Sequence, residues 1–188
     1  MRKKLVSLLI ASVMAISLIA CGGETKEEPK KEENKTEDVK VPEESKEEKG
    51  DVYFKDDILK IDMATIKITG FEVAPPNTEM GEEKSTLIIT YDFTNDSEEV
   101  QQPGTVWISC FNATQETDAT IDNLDVAMAP QDEKYVEMND VSYTDVKPGA
   151  TVQSVISYDI NDLSKPVVLK ATQGIIGEEL GEKIFNLQ

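Results

Sequence analysis

Histidine is absent from the 188-residue chain, arginine occurs once (Arg2), tryptophan once and cysteine twice. Without an imidazole there is no Ser-His-Asp triad, Cys-His dyad, HExxH helix or His-ligated metal. Positive charge is scarce as well: 19 basic side chains stand against 37 acidic ones, for a net charge of −18. Phosphate recognition draws on clustered Lys and Arg, so this balance argues against a nucleic-acid partner. Long apolar runs are confined to the first residues. Leu5 to Ala20 carries no charge, but its sixteen residues fall short of the roughly 20 that span a bilayer as a helix.

What that opening segment does contain is an export pattern. Arg2-Lys3-Lys4 forms a basic start, an apolar stretch follows, and small residues precede a cut after residue 20. Leu18-Ile19-Ala20-Cys21 resembles the bacterial lipobox. In that family the Cys sulfur receives a diacylglycerol, and cleavage before it makes the Cys the new N-terminus. The alternatives are a plain signal peptide or a short membrane anchor. Gly22-Gly23 and the polar continuation favour the lipoprotein reading, which makes Cys21 the lipidation site and residues 1–20 its signal peptide.

Residues 22–50 hold seven Lys against eleven acids and two large apolar residues, Val39 and Val41. Such a Lys/Glu/Pro run buries too little surface to offset ordering entropy, and Pro29 and Pro42 break any single helix. As a flexible coil these 29 residues have a mean reach of about 30 Å and an extended limit near 100 Å. The expectation is a disordered tether over 21–50, beginning at the lipidated Cys, and one folded domain over 51–188. That domain carries 26 acids against nine Lys, a net −17, and all eleven aromatics. With Cys21 lipidated, Cys110 has no partner for an intrachain disulfide. It reads as a buried structural thiol, since no Lys or Arg lies nearby in sequence to activate it as a nucleophile.

After Gly50 apolar residues recur at every second position. Ile58–Ile61 and Ala64–Thr69 read as two short strands around Asp62-Met63, with Gly70 allowing a bend into Phe71-Glu72-Val73. In Ser85–Thr94, Leu87, Ile89, Tyr91 and Phe93 share one face. Asn95-Asp96-Ser97 and Pro103-Gly104 punctuate, and Thr105–Phe111 reads as a strand with Val106, Ile108 and Cys110 together. Leu124–Met128 is a weaker strand, Pro148-Gly149 launches Thr151–Ile160, and Val167–Ala171 and Ile184–Leu187 follow. About seven to nine short strands with turn signals between them, and no long 3.6-residue apolar stripe, predict an antiparallel β-sandwich.

Within this pattern the segments LIITYDFTNDSEEV, TVWISCFNA, VKPGATVQSVISYDI and KPVVLKATQG resemble an uncharacterised, domain-of-unknown-function family of immunoglobulin-like lipoproteins of Gram-positive bacteria. The resemblance covers most of residues 52–187. It implies an immunoglobulin-like sandwich at the outer face of the cell membrane, and it brings no catalytic motif.

Candidate chemistry centres on the acidic stretch 116–145, where nine carboxylates accompany one Lys, Lys134. Calcium takes six to eight hard oxygens. Asp118, Asp122, Asn123 and Asp125 have that chemistry without the EF-hand spacing, so a solvated acidic rim competes with a calcium site. Glu116, Asp132, Glu133, Glu137 and Asp140 are candidates for contact with a partner. Carboxylate pairs can hydrolyse glycosides at about 5 to 9 Å separation, but 26 acids supply such pairs by chance. Ser164-Lys165 are chain neighbours, which sets their side chains on opposite faces of a strand. Trp107, Tyr91, Phe93, Phe111, Tyr143 and Tyr158 would form either an aromatic platform or, more in keeping with their apolar neighbours, the sandwich core.

The reading that follows is a membrane-anchored, non-catalytic lipoprotein of the cell envelope that binds or scaffolds an envelope or secreted protein. Contacts are expected in the turns near 95–104 and in 116–145. A charge of −17 repels anionic wall polymers and favours a cationic protein patch. Its rivals are a calcium-dependent or small-ligand-capturing accessory lipoprotein, and a carboxylate-based envelope hydrolase.

Overall fold

Alternating apolar residues pair into two antiparallel sheets. The computed structural model describes residues 51–128 and 130–188; the export segment, Cys21 and the tether lie outside the described residues. In chain order the elements are β1 (Tyr53–Lys55), β2 (Ile58–Ile61), β3 (Ala64–Ala74), β4 (Thr86–Asn95), α1 (Pro103–Cys110), β5 (Phe111–Glu116), β6 (Ile121–Asn123), α2 (Glu133–Ser142), β7 (Thr151–Asp159), β8 (Val167–Thr172) and β9 (Glu179–Phe185). One sheet has the order β1-β2-β3-β4-β7 and the other β6-β5-β8-β9. The protein is therefore a β-sandwich, with nine strands among the described residues, within the expected seven to nine.

The inward faces meet in one core. Leu59, Ile66, Leu87, Ile89, Tyr91 and Phe93 of the larger sheet face Phe111, Val167, Leu169 and Phe185 of the smaller one. Alternation at period two put these residues on one side of each strand, and burying them drives the sheets together. The strands meant to break at Gly70 do not. β3 runs unbroken to Ala74, and the glycine instead marks a slip in register against β4 between Ile68 and Gly70. A bulge bends the strand without ending it.

Two helices correct the all-strand expectation. Thr105–Phe111 is not a strand: Pro103–Cys110 is α1, and the strand begins only at Phe111. Helical winding buries Pro103, Val106, Trp107 and Cys110, an i, i+3, i+4, i+7 set, and turns Ile108 out to solvent at 58% exposure. Pro103 suits the first helical position, where no N–H is needed. Gly104 lets α1 approach α2, because a Cβ there would lie 3.0 Å from the Ser142 carbonyl oxygen.

The acidic connection contains the second helix, α2. Tyr135 packs with Ile88 and Val155 on the outer face of the larger sheet, with Met138 and Ala74 half-buried against them. Lys134 pins the first turn through a 2.7 Å ion pair with Glu72 of β3. The strand expected at Leu124–Met128 is also corrected: β6 is Ile121–Asn123, and Val126 makes only an isolated bridge to Tyr158. That bridge matters for the free edge of β7. Ala127 N–H donates to the Ser157 carbonyl (2.9 Å), Asp159 N–H to the Asp125 carbonyl (3.0 Å), and the Ser142 hydroxyl to the Val155 carbonyl (3.1 Å). An edge so occupied is closed to strand addition.

Two buried amides fasten the loops. Asn95 donates to the Glu99 and Val146 carbonyls and accepts from the Ser97 backbone and hydroxyl. Gln115 donates to the Asp162 and Lys165 carbonyls and accepts from the N–H groups of Asn161 and Asp162. Each side chain makes four hydrogen bonds, so neither leaves a buried polar atom without a partner. Among the described residues no helix is long and apolar enough to cross a membrane.

Candidate functional site: an acid-rimmed trough

Where β3 ends, Pro75-Pro76 prevents further strand pairing and starts a loop. Asn77 then caps a short 3-10 turn at Thr78–Met80, its side-chain oxygen accepting from the Met80 N–H at 3.3 Å. The Glu82 carboxylate accepts from the Asn77 N–H at 3.0 Å and holds the loop closed. Gly81, at φ +80°, ends the turn in the left-handed region that glycine tolerates. On the other side lie Met128, Pro130, Gln131 and Asp132, between the β7 edge and α2. Between these walls lies a cavity of about 380 Å³ lined by Ala74, Pro75, Pro76, Thr86, Ile88, Met128, Pro130 and Asp132, among others. A second hollow of about 330 Å³ shares Glu82 and Met128 with it and adds Glu83, Lys84 and Asp159, so the two form one trough.

Its chemistry is two-sided. The apolar lining is Ala74, both prolines, Ile88, Met128 and Pro130, interspersed with Asn77, Thr86 and Gln131. The rim carries Glu82, Glu83, Asp132 and Asp159 against one cation, Lys84, whose ammonium donates to Asn161 at 2.9 Å. At the α2 wall, the hydrogen bond and charge of Lys134 hold the Glu72 carboxyl below its ordinary value despite some desolvation, and Glu72 in turn favours the charged Lys134. Such a trough can receive a cation with an aliphatic stem: the stem lies on the prolines and methionine while the head meets the carboxylates.

The residues singled out from sequence are distributed unevenly about this feature. Asp132 lines the trough. Glu133, Glu137 and Asp140 fall at i, i+4 and i+7 on α2 and form one exposed stripe beside it. Glu116 lies apart from them, at the end of β5 in the other sheet. Asp118 occupies the turn closed by Thr117 and Thr120, Asp122 pairs with Gln115 across β6, the Asn123 side chain accepts from Asn112 (3.0 Å), and Asp125 serves the β7 edge through its carbonyl. Among the described residues no three His, Cys, Asp or Glu side chains are grouped so as to hold a metal ion.

Ser164 and Lys165 belong to a turn, not a strand, and the Ser164 hydroxyl donates to Asp162 at 2.6 Å. Of the six aromatics, Tyr91, Phe93, Trp107, Phe111 and Tyr158 are core, with Trp107 stacked between Tyr91 and Phe111 at 4.4 and 4.3 Å. Tyr143 is the exception at 70% exposure. Cys110 is free and buried. Sequence reasoning missed Pro75, Pro76, Glu82, Glu83, Met128 and Pro130; the Pro-Pro doublet, with Gly81 and the acids just beyond, was the available signal for a shaped loop.

Fold and trough together define an acidic β-sandwich with an open trough along one side. The chain belongs to the family described as Domain of unknown function (DUF5067), which it matches over residues 24–173. No curated protein of known role matches it. It is similar to a solved structure from Staphylococcus aureus described as "a putative lipoprotein", at 19% identity and a TM-score of 0.64, covering 73% of this chain and 92% of that one. It is also similar to an Enterococcus faecalis protein, at 17% identity and a TM-score of 0.59, covering 72% and 93%. At those identities the likeness is one of fold.

Proposed function

We propose that the chain is a lipid-anchored, non-catalytic binding module on the outer face of the cell membrane, whose trough holds a cationic segment of an envelope or secreted protein. The observation that carries the binding role is the pairing of apolar lining residues, Ile88, Met128 and the prolines, with the carboxylates of Glu82, Glu83, Asp132 and Asp159. The domain's charge of −17 gathers a basic partner over longer range. The anchor rests on the lipobox ending at Cys21 and is supported by the description of the staphylococcal relative. The strand order β3-β4-β7 facing β5-β8-β9 supports an immunoglobulin-like lineage. Lettered in chain order it is A-B-E against C-F-G, with α2 in the place of strand D.

The test is an NMR titration of the protein with a peptide of alternating lysine and leucine. Shifts should concentrate at Thr86, Ile88, Met128 and Asp132. Binding should weaken about tenfold in Glu82→Lys/Asp132→Lys and fall with added salt. Shifts spread evenly over the acidic surface, or unchanged affinity in the double variant, would remove the trough from the reading. The cavity volume also lies in the range of small-molecule sites, which favours capture of a small organic cation as the second reading. Saturation by a simple alkylamine as tight as by the peptide would establish that alternative.

A further inference from the structure

The β8–β9 connection is a built hairpin tip that ends in two bare isoleucines. Gln173 N–H donates to the Glu178 carbonyl at 3.0 Å, Gly174 N–H to the Thr172 carbonyl at 3.0 Å, and the Thr172 hydroxyl to the Gly174 carbonyl at 2.9 Å. Gly174 has φ +76°, and a Cβ on Gly177 would fall 1.9 Å from the Gln173 carbonyl oxygen, so the turn requires both glycines. This hydrogen-bonded turn holds Ile175 at 86% and Ile176 at 99% exposure. Leaving two β-branched side chains in water forgoes a burial worth about tenfold or more in a partition equilibrium for each.

The topology fixes which end of the sandwich this tip occupies. Phe54 of β1 lies against Gly181 of β9, its carbonyl oxygen 3.2 Å from a Cβ built there, and Asp57 pairs with Lys183 at 2.6 Å. Both contacts advance in the same direction, so β1 and β9 run side by side in parallel. Going back from Phe54 to Asp51 therefore leads toward Glu179 and the tip. The end where the tether joins the domain is the end that carries Ile175 and Ile176. The carboxyl end of α1 is there too, since the Thr172 hydroxyl oxygen also lies 3.2 Å from the Cys110 carbonyl oxygen. Exposed Ile108 belongs to that last turn.

We propose that the Ile175-Ile176 tip inserts into the outer leaflet of the membrane that holds the lipid anchor, and so docks the sandwich with its trough turned away. The inference rests on the anchor reading. One shallow apolar tip binds a bilayer too weakly to hold a free protein, but an anchor 29 residues away keeps it at high effective concentration over the surface. Glu178 and Glu179 follow the isoleucines after Gly177. Like charge therefore disfavours a second copy of this acidic domain as the occupant, and it disfavours anionic headgroups, leaving the acyl layer of a neutral surface.

The test uses the full lipidated chain carrying Ile176→Trp on phosphatidylcholine vesicles that include bromine-labelled acyl chains. Flotation with the vesicles reads the anchor, and quenching of the new tryptophan reads the tip; Trp107, fully buried, supplies an unquenched background. Flotation with quenching, cut several-fold or more by Ile175→Asn in the same chain at unchanged melting temperature, supports the proposal. Flotation without quenching overturns it and leaves the anchor standing. A blue shift that grows with protein concentration and not with bromolipid assigns the tip to a second copy and overturns it as well. A chain that does not float overturns the anchor reading and this inference together.

Discussion

Trp107 Nε1 donates to the Tyr158 hydroxyl at 2.8 Å, joining α1 to β7 through the middle of the core. Both side chains are almost wholly buried, so the bond supplies a donor and an acceptor that water cannot reach. It makes the short α1 an integral wall of the sandwich.

Breaking that bond from either side strands a buried partner, so the two single losses should not add. Trp107→Phe leaves the Tyr158 hydroxyl buried without its donor, and Tyr158→Phe strands the indole N–H; each should lower stability by about 1–3 kcal/mol, the tryptophan change more because it also leaves a void. The double variant should lose less than the sum, by a coupling of about 1 kcal/mol. Urea unfolding followed by far-UV circular dichroism measures all four proteins. Strict additivity would show that the bond adds nothing beyond packing.

Stability should fall at both ends of the pH range, for different groups. Burial pushes the Tyr158 phenol up to about 12, the Trp107 hydrogen bond pulling partly back, and burial raises Tyr91 further against the opposing Ser154 and Ser142 hydroxyls. Because the folded state keeps these protons while the unfolded chain releases them near 10, the contribution is complete below pH 10. It is lost as pH rises toward the folded values. At the acid end, burial raises the Asp96 carboxyl, but hydrogen bonds from Lys60 and Thr65 together with the Lys60 charge outweigh it and leave it lowered. That contribution is present above about pH 4 and disappears as pH falls through the lowered value. The site is partly solvated, so the effect is under about 1 kcal/mol. Equilibrium unfolding from pH 2 to 12 should show both limbs, with the acid limb shallower in Asp96→Asn; an identical acid limb would take Asp96 out of the account.

Cys110, the last residue of α1, has 1% of its surface exposed. A maleimide should label it at the rate of global unfolding, with no fast phase in native buffer. Rapid native labelling would mean that α1 opens on its own.

The trough and the two helices show why part of the design was hidden in the sequence. Leu87, Ile89, Tyr91 and Phe93 announce β4 because period two holds for ten residues and no helix satisfies it. TVWISC is too short for that. Val106, Ile108 and Cys110 alternate as well as Pro103, Val106, Trp107 and Cys110 wind, and the large indole settles the contest by finding Tyr158, Tyr91 and Phe111 only from a helix. In α2, Tyr135, Met138 and Ser142 are too few to register as an apolar stripe.

Local order along the chain was sufficient for some properties. The absence of histidine, the nearly arginine-free composition, the lipobox-like Leu18–Cys21 and the alternating strands bear on class, address and sheet content through residues close in sequence. Only the tertiary structure could decide which short apolar runs wind into helices. It alone brought Pro75, Pro76 and Glu82 against Met128, Pro130 and Asp132, and it alone set Ile175 and Ile176 at the end where β1 begins. Each of these depends on contacts between segments distant in the chain, and their free energy comes from burial that no local window of sequence contains.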